Sequence, residues 1–205
     1  MADRNGGKVV ETGSSQEIIM GFFLFAALFF LFGLFLLYFF RDPERKINQD
    51  EKHILAPADG KVMEVMEENG RKTIRIFMSP LDVHIQRAPV RGIVESVEYK
   101  KGKFLQAFRK QASVENEQNI IRLGGDAGGL EIKQIAGVLA RRIECWVKPG
   151  QRLGQGERLG MIKLGSQVDL TLSAGLSKIV VLKVKQGEKV QAGKTVIGDI
   201  SEGKT

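Results

Sequence analysis

The chain is poor in the residues that build metal and disulfide frameworks. Its 205 residues hold one cysteine, Cys145, and two histidines, His53 and His84. A lone thiol excludes an intrachain disulfide and fits a reducing compartment. No Cys/His cluster has metal-ligand spacing, so no metal is indicated, and no glycine-rich phosphate loop leads into a helix to indicate a nucleotide. Aromatic side chains are scarce outside one segment: nine of the twelve Phe lie within residues 18–40. A domain with so few stacking side chains, tied to a membrane, is not read as a nucleic-acid binder.

That segment also lacks any charge. As a helix rising about 1.5 Å per residue it reaches roughly 34 Å, enough for a hydrocarbon core of about 30 Å. A signal peptide has a shorter apolar run, about 7–15 residues, followed by a small-residue cleavage site. Here the run ends in Tyr38-Phe39-Phe40-Arg41-Asp42-Pro43. The expected layout is a polar tail over residues 1–16, one N-terminal transmembrane anchor over 17–40, a charged connector over 41–52 and a β domain over 53–205. Arg41, Arg45 and Lys46 behind the span outnumber Arg4 and Lys8 before it. That bias predicts a single pass through the cell (inner) membrane with the C-terminal domain in the cytoplasm.

The formal net charge is +7, and residues 1–40 carry two basic and three acidic side chains, so the remainder carries +8. A basic domain tethered beside a bilayer is attracted to an anionic membrane surface. A solvated surface that is merely basic is the plain alternative.

From His53 onward the hydrophobic period is two. Leu130 and Ile132 alternate with Glu131 and Lys133; Val168, Leu170 and Leu172 alternate with Gln167, Asp169 and Thr171; Val180, Leu182 and Val184 follow the same rule. Alternation with glycine punctuation predicts short antiparallel strands in an all-β sandwich or barrel. One helical turn is expected over 137–142, and a polar, irregular loop or lid over 100–119. Two segments recur. Ala56-Pro57-Ala58-Asp59-Gly60-Lys61-Val62 matches Ala88-Pro89-Val90-Arg91-Gly92-Ile93-Val94, and Val147–Leu153 matches Val184–Val190. Such glycine-punctuated repeats are of the lipoyl-like hairpin kind and indicate partial duplication within one compact domain.

Gly165-Ser166 lies between two alternating segments, 158–164 and 167–172. Chance alone predicts about one Gly-Ser pair in this composition, and two occur. A flexible glycine followed by a β-hydroxyl on rigid strands suits an intramolecular N-to-O acyl shift, although an ordinary turn explains those two residues equally well. Read alone, His84 is a hydrogen-bonded structural histidine and Asp59 a turn residue.

Several stretches taken in order change that reading. They are Phe39-Phe40-Arg41-Asp42-Pro43-Glu44-Arg45; Ala56 to Val62; Phe77-Met78-Ser79-Pro80-Leu81-Asp82-Val83-His84 with Arg87 and Pro89; Ala112-Ser113 with Asn116-Glu117 and Asn119; Gln134 to Gly137 leading into Ala140-Arg141-Arg142-Ile143; and Gly160-Met161-Ile162 running to Gly165-Ser166. From about Phe39 to about Gly198 the chain resembles the short-form phosphatidylserine decarboxylases, pyruvoyl-dependent and self-processing.

The resemblance implies a proenzyme that Ser166 cuts after Gly165. The products are a large chain (1–165) and a small chain (166–205), held as a heterodimer, the small one beginning with a pyruvoyl group made from Ser166. It implies decarboxylation of phosphatidylserine to phosphatidylethanolamine through a Schiff base to that group, whose carbonyl serves as electron sink. Asp59 would orient His84, which would activate Ser166. Longer family members carry a second histidine where this chain has Arg87, so His84 would serve both self-cleavage and protonation. Arg87, Arg141 and Arg142 are candidates for the lipid phosphate or the serine carboxylate, since guanidinium fits both; plain surface charge is the alternative. Two other readings stand beside this one: a decarboxylase of another serine-headed lipid of the archaetidylserine type, and a non-enzymatic, membrane-anchored lipoyl-like adaptor. Removing residues 1–40 would take away none of the residues assigned chemistry here.

Overall fold

The computed structural model describes residues 13–47, 49–106, 111–125, 128–138, 142–163 and 165–201. The chain divides after Tyr38 into two compact units. In the first, helix α1 (Gly13–Phe39) includes 25 residues, Ser15–Phe39, long and apolar enough to cross a membrane. Most of its large apolar side chains are exposed, Ile18, Phe22 and Leu37 among them. A helix hydrophobic on every side and largely exposed suits a hydrocarbon surround.

The second unit is antiparallel β. In chain order it comprises β1 (His53–Leu55), β2 (Gly60–Glu68), β3 (Arg71–Met78), β4 (Ile85–Arg87), β5 (Gly92–Lys100), α2 (Ala112–Glu115), β6 (Gln118–Gly124), β7 (Leu130–Ala136), β8 (Ile143–Cys145), β9 (Arg152–Leu153), β10 (Arg158–Ile162), β11 (Ser166–Leu172), α3 (Ala174–Ile179), β12 (Val180–Leu182), β13 (Lys189–Val190) and β14 (Val196–Ile200). An eight-stranded sheet, ordered β13-β2-β3-β11-β7-β6-β5-β9, curls into a half-barrel, and two three-stranded sheets, β1-β14-β12 and β4-β10-β8, complete the unit. The all-β expectation holds.

The sequence repeats fall on matching ends of the large sheet. Gly60 of β2 pairs with Val190 of β13, and Gly92 of β5 pairs with Leu153 of β9. Both glycines are needed for close backbone approach: a Cβ would lie 2.1 Å from the Phe77 carbonyl oxygen at Gly60 and 2.2 Å from that of Gly124 at Gly92. The order of strands reads outward alike from its centre, where β11 meets β7.

Alternation decides which side chains meet. Ser166, Val168, Leu170 and Leu172 project from one face of β11, level with Met78, Ile76 and Ile74 on β3 and with Ala136, Gln134, Ile132 and Leu130 on β7. The aliphatic members of this set are buried and form the centre of the core.

Three local expectations need correction. Gly137, Val138 and Arg142 are not helical, and the rest of that proposed turn lies outside the described residues. Residues 100–119 are not wholly irregular, because α2 forms within them. Helix α3 was not foreseen, though Ser173 caps it by accepting from the Leu176 amide, an ordinary N-cap signal.

The connector is more ordered than its charge suggests. The Arg45 guanidinium donates to both Asp59 oxygens, at 2.6 and 2.7 Å, and to the Ala192 carbonyl. Ile47 fills the space beside Gly156 and Gly193, where a Cβ would lie within 2.8 Å of it.

Candidate active site

Ser166 opens β11, the central strand, and is completely buried. Its backbone is held on both sides, opposite Met78 of β3 and Ala136 of β7. The hydroxyl lies 3.5 Å from Met78 Sδ, a weak acceptor that leaves the oxygen lone pairs uncommitted. Gly165 before it has φ +66°, and a Cβ there would meet nothing within 4 Å. Backbone conformation, not space, therefore selects glycine, since an L-residue in this region costs roughly 1–2 kcal/mol.

His84 lies just before β4 and is also completely buried. Its Nδ1 stands 2.9 Å from the Asp82 carbonyl oxygen. A carbonyl only accepts, so Nδ1 carries the proton and Nε2 keeps its lone pair. Among the described residues Nε2 has no hydrogen-bond partner. Burial is the main influence on the imidazole and holds its pKa below the usual 6.5; the Asp82 carbonyl and the Asp82 and Asp59 carboxylates oppose it, and Arg41 adds to it. The result is a dry, neutral base. The Phe39 ring lies against it, centroid to centroid 4.3 Å at 40°.

Met78 and Gln86 join the two residues. Gln86 Nε2 donates to the His84 carbonyl at 2.8 Å and reaches Met78 Sδ at 3.6 Å, the same sulfur that faces Ser166. A buried chain of amides stands behind: Asn119 Nδ2 donates to Gln134 Oε1 at 2.8 Å, and Gln134 Nε2 donates to Gln86 Oε1 at 2.8 Å. The Ile162 amide also donates to the His84 carbonyl, at 3.3 Å. The strand leading to Gly165 thus departs from His84 itself. Sequence reading passed over this chain of amides, although Gln134 occupies an inward position of an alternating strand, which was the available signal.

The other expected residues are placed differently. Asp59 does not hold His84: its oxygens are taken by Arg45 and by the Ala192 amide, 2.8 Å away, and Asp82 supplies the oxygen that orients the imidazole. Arg87 is buried rather than open to a ligand. Its guanidinium donates to Asp42 and to the Gly156 carbonyl, both at 3.1 Å, and burial lowers its pKa. Arg142 is exposed, and Arg141 lies outside the described residues. His53 sits in β1 between Asp50 and Asp199, away from any motif. Among the described residues no cluster of three metal-ligating side chains occurs.

Comparison with known proteins gives first the class. A family model described as phosphatidylserine decarboxylase matches residues 32–198, so this all-β unit is a decarboxylase, a lyase. The chain belongs to the phosphatidylserine decarboxylase family. It is 42% identical over 174 residues to the phosphatidylserine decarboxylase proenzyme of Solibacter usitatus, covering 85% of this chain and 83% of that one. It is 45% identical over 181 residues to that of Chlorobaculum tepidum, covering 84% and 80%. Among solved structures, the glucose permease IIA from Mycoplasma capricolum overlaps 73% of this chain and 95% of its own, at TM-score 0.42 and 15% identity, a likeness too slight to carry weight.

Proposed function

We propose that the chain is a membrane-anchored proenzyme that cuts itself between Gly165 and Ser166 and then decarboxylates phosphatidylserine to phosphatidylethanolamine. One observation carries this reading: a buried imidazole whose Nδ1 donates to the Asp82 carbonyl and whose Nε2 has no hydrogen-bond partner among the described residues, on a residue whose backbone carbonyl is linked through Gln86 and Met78 to the buried Ser166 hydroxyl.

His84 Nε2 takes the Ser166 hydroxyl proton as Oγ attacks the Gly165 carbonyl carbon. The C–N bond to Ser166 breaks, the Ser166 nitrogen receives the proton, and an ester joins Gly165 to Oγ. β-Elimination then removes the Ser166 Cα proton and expels the Gly165 carboxylate from Cβ, leaving dehydroalanine at position 166, and water hydrolyses its imine tautomer to a pyruvoyl group with release of ammonia. Position 166 suits such a group, being dry and clamped between two strands. The pyruvoyl carbonyl supplies the electron sink that loss of CO2 from an α-amino acid requires.

With that group formed, His84 would be the buried residue that holds and delivers a proton, the second of its two tasks. Arg87 serves as a buried clamp between the connector and the turn before β10, and the exposed Arg142 is available to the substrate's anionic groups. The small chain stays bound because β11 lies between β3 and β7, and β14 lies between β1 and β12.

Helix α1 anchors the enzyme, and the domain rests on an anionic membrane surface in the cytoplasm. Phe40, Leu81 and Trp146 are 47%, 63% and 45% exposed. Cations accompany them: Arg41 donates to the Leu81 carbonyl, and the Lys163 ammonium lies 5.9 Å from the Phe40 ring centroid. Aromatic and aliphatic tips mixed with cations suit a headgroup layer.

The test is release of CO2 from carboxyl-labelled phosphatidylserine in mixed micelles, before and after hydroxylamine. Activity abolished by hydroxylamine and indifferent to pyridoxal phosphate is expected. Full activity after exhaustive treatment excludes the carbonyl chemistry.

A further inference from the structure

We propose that Phe39, the last residue of the apolar helix, is a positioning residue for self-cleavage: its ring shields the His84 imidazole from water and sets the plane in which Nε2 meets Ser166. This rests on the reading of His84 as the base.

Phe39 closes α1 in sequence yet is 1% exposed, whereas most of the helix's other large apolar side chains stand open. It packs face-tilted on His84 at 4.3 Å and edge-on to Phe40 at 5.1 Å. A ring in that place does two things. It removes water from one face of the imidazole, which penalises the charged form. It also blocks rotation about the side-chain bonds, so the single Nδ1 hydrogen bond to Asp82 suffices to aim Nε2. The charged groups acting on His84 are Asp82 from the loop before β4, Arg41 from the connector and Asp59 from the turn before β2; replacing Phe39 alters none of them. Phe39 thus belongs with the β unit and not with the apolar helix it ends. Removing residues 1–40 is then not neutral for maturation, contrary to what the sequence alone suggests.

The chain has only two histidines, so their imidazole titrations can be followed by NMR in the full chain in detergent micelles, held uncut by Ser166→Ala and assigned with His53→Asn. Phe39→Ala should raise the His84 midpoint toward 6.5, and Phe39→Val should raise it by less. In the Ser166 chain, Phe39→Ala should slow fragment formation on the order of tenfold to a hundredfold and move the acidic limb of its pH profile upward. Phe39→Leu, which keeps the apolar bulk, should largely restore both. A His84 midpoint unmoved in folded Phe39→Ala overturns the proposal; if alanine does not fold, an unmoved midpoint in Phe39→Val does so. A His84→Ala chain that matures at the normal rate instead removes the base assignment, while the titration still reports whether Phe39 shields the ring.

Discussion

Arg45 grips both carboxylate oxygens of Asp59, at 2.6 and 2.7 Å, with only 5% and 10% of the two side chains exposed. The same guanidinium reaches the Ala192 carbonyl, and the Ala192 amide returns a bond to Asp59. Three segments distant in sequence therefore close on one buried ion pair: the connector behind the helix, the turn into β2, and the loop between β13 and β14.

Removing one partner strands a buried charge, which costs about 3–5 kcal/mol. Arg45→Ala and Asp59→Ala should each lower the unfolding midpoint markedly, and the double variant should cost less than the sum of the two. Thermal unfolding on a Ser166→Ala background measures this. Asp59→Asn should reduce the yield of matured chain while leaving the pH dependence of cleavage governed by His84. Equal stability of all these variants would show the clasp to be idle.

His84 sets a pH dependence with a definite sign. Its folded-state pKa lies below 6.5, chiefly through burial. Between that value and 6.5 the unfolded chain binds a proton that the folded chain refuses. The stability contribution is therefore complete above 6.5, falls as pH drops through the window, and levels off below the folded value. Self-cleavage should keep more than half of its high-pH rate at pH 6.5 and fall further at lower pH, as followed by fragment appearance over time. A rate already halved at 6.5 would contradict a shielded imidazole.

The amide chain makes a separate prediction. Gln134 is completely buried between Asn119 and Gln86. Gln134→Leu leaves two buried amide groups unpaired, at about 1–3 kcal/mol each, and loosens the Gln86 amide that holds the His84 carbonyl. Reduced stability and slower cleavage should appear together in chemical denaturation and in a maturation time course. Wild-type values for both would mean that the amides re-pair without cost.

Trp146 is the single tryptophan, so its fluorescence reports one place. With the chain in nanodiscs, emission should shift to the blue and iodide quenching should fall when anionic lipid replaces zwitterionic lipid. High salt should reverse part of the change. No response to lipid charge would remove Trp146 from the membrane-facing surface.

Much of this was legible in the sequence where one residue's neighbours dictate its state. Period-two alternation marked β7, β11 and β12, and the paired repeats foretold that Gly60 and Gly92 would open equivalent strands. That Gly165-Ser166 falls between two strands was legible in the alternating segments on either side. What escaped was pairing across long separations. The family resemblance implied Asp59 as the partner of His84, but Arg45, read only as one of the connector's charges, takes both of its oxygens. Arg87 looked like a ligand-binding cation until Asp42 neutralised it. Phe39 read as one more anchor residue, since composition cannot say which member of an apolar run turns inward.

The most direct test is the intact mass of the purified wild-type protein under denaturing conditions, compared with Ser166→Ala. The account predicts two wild-type chains, residues 1–165 and 166–205, the smaller lacking a free amino terminus and carrying a pyruvoyl mass at its first position, and one uncut chain from the variant. A single full-length wild-type species in catalytically active protein, or fragments of the same size from Ser166→Ala, would contradict it.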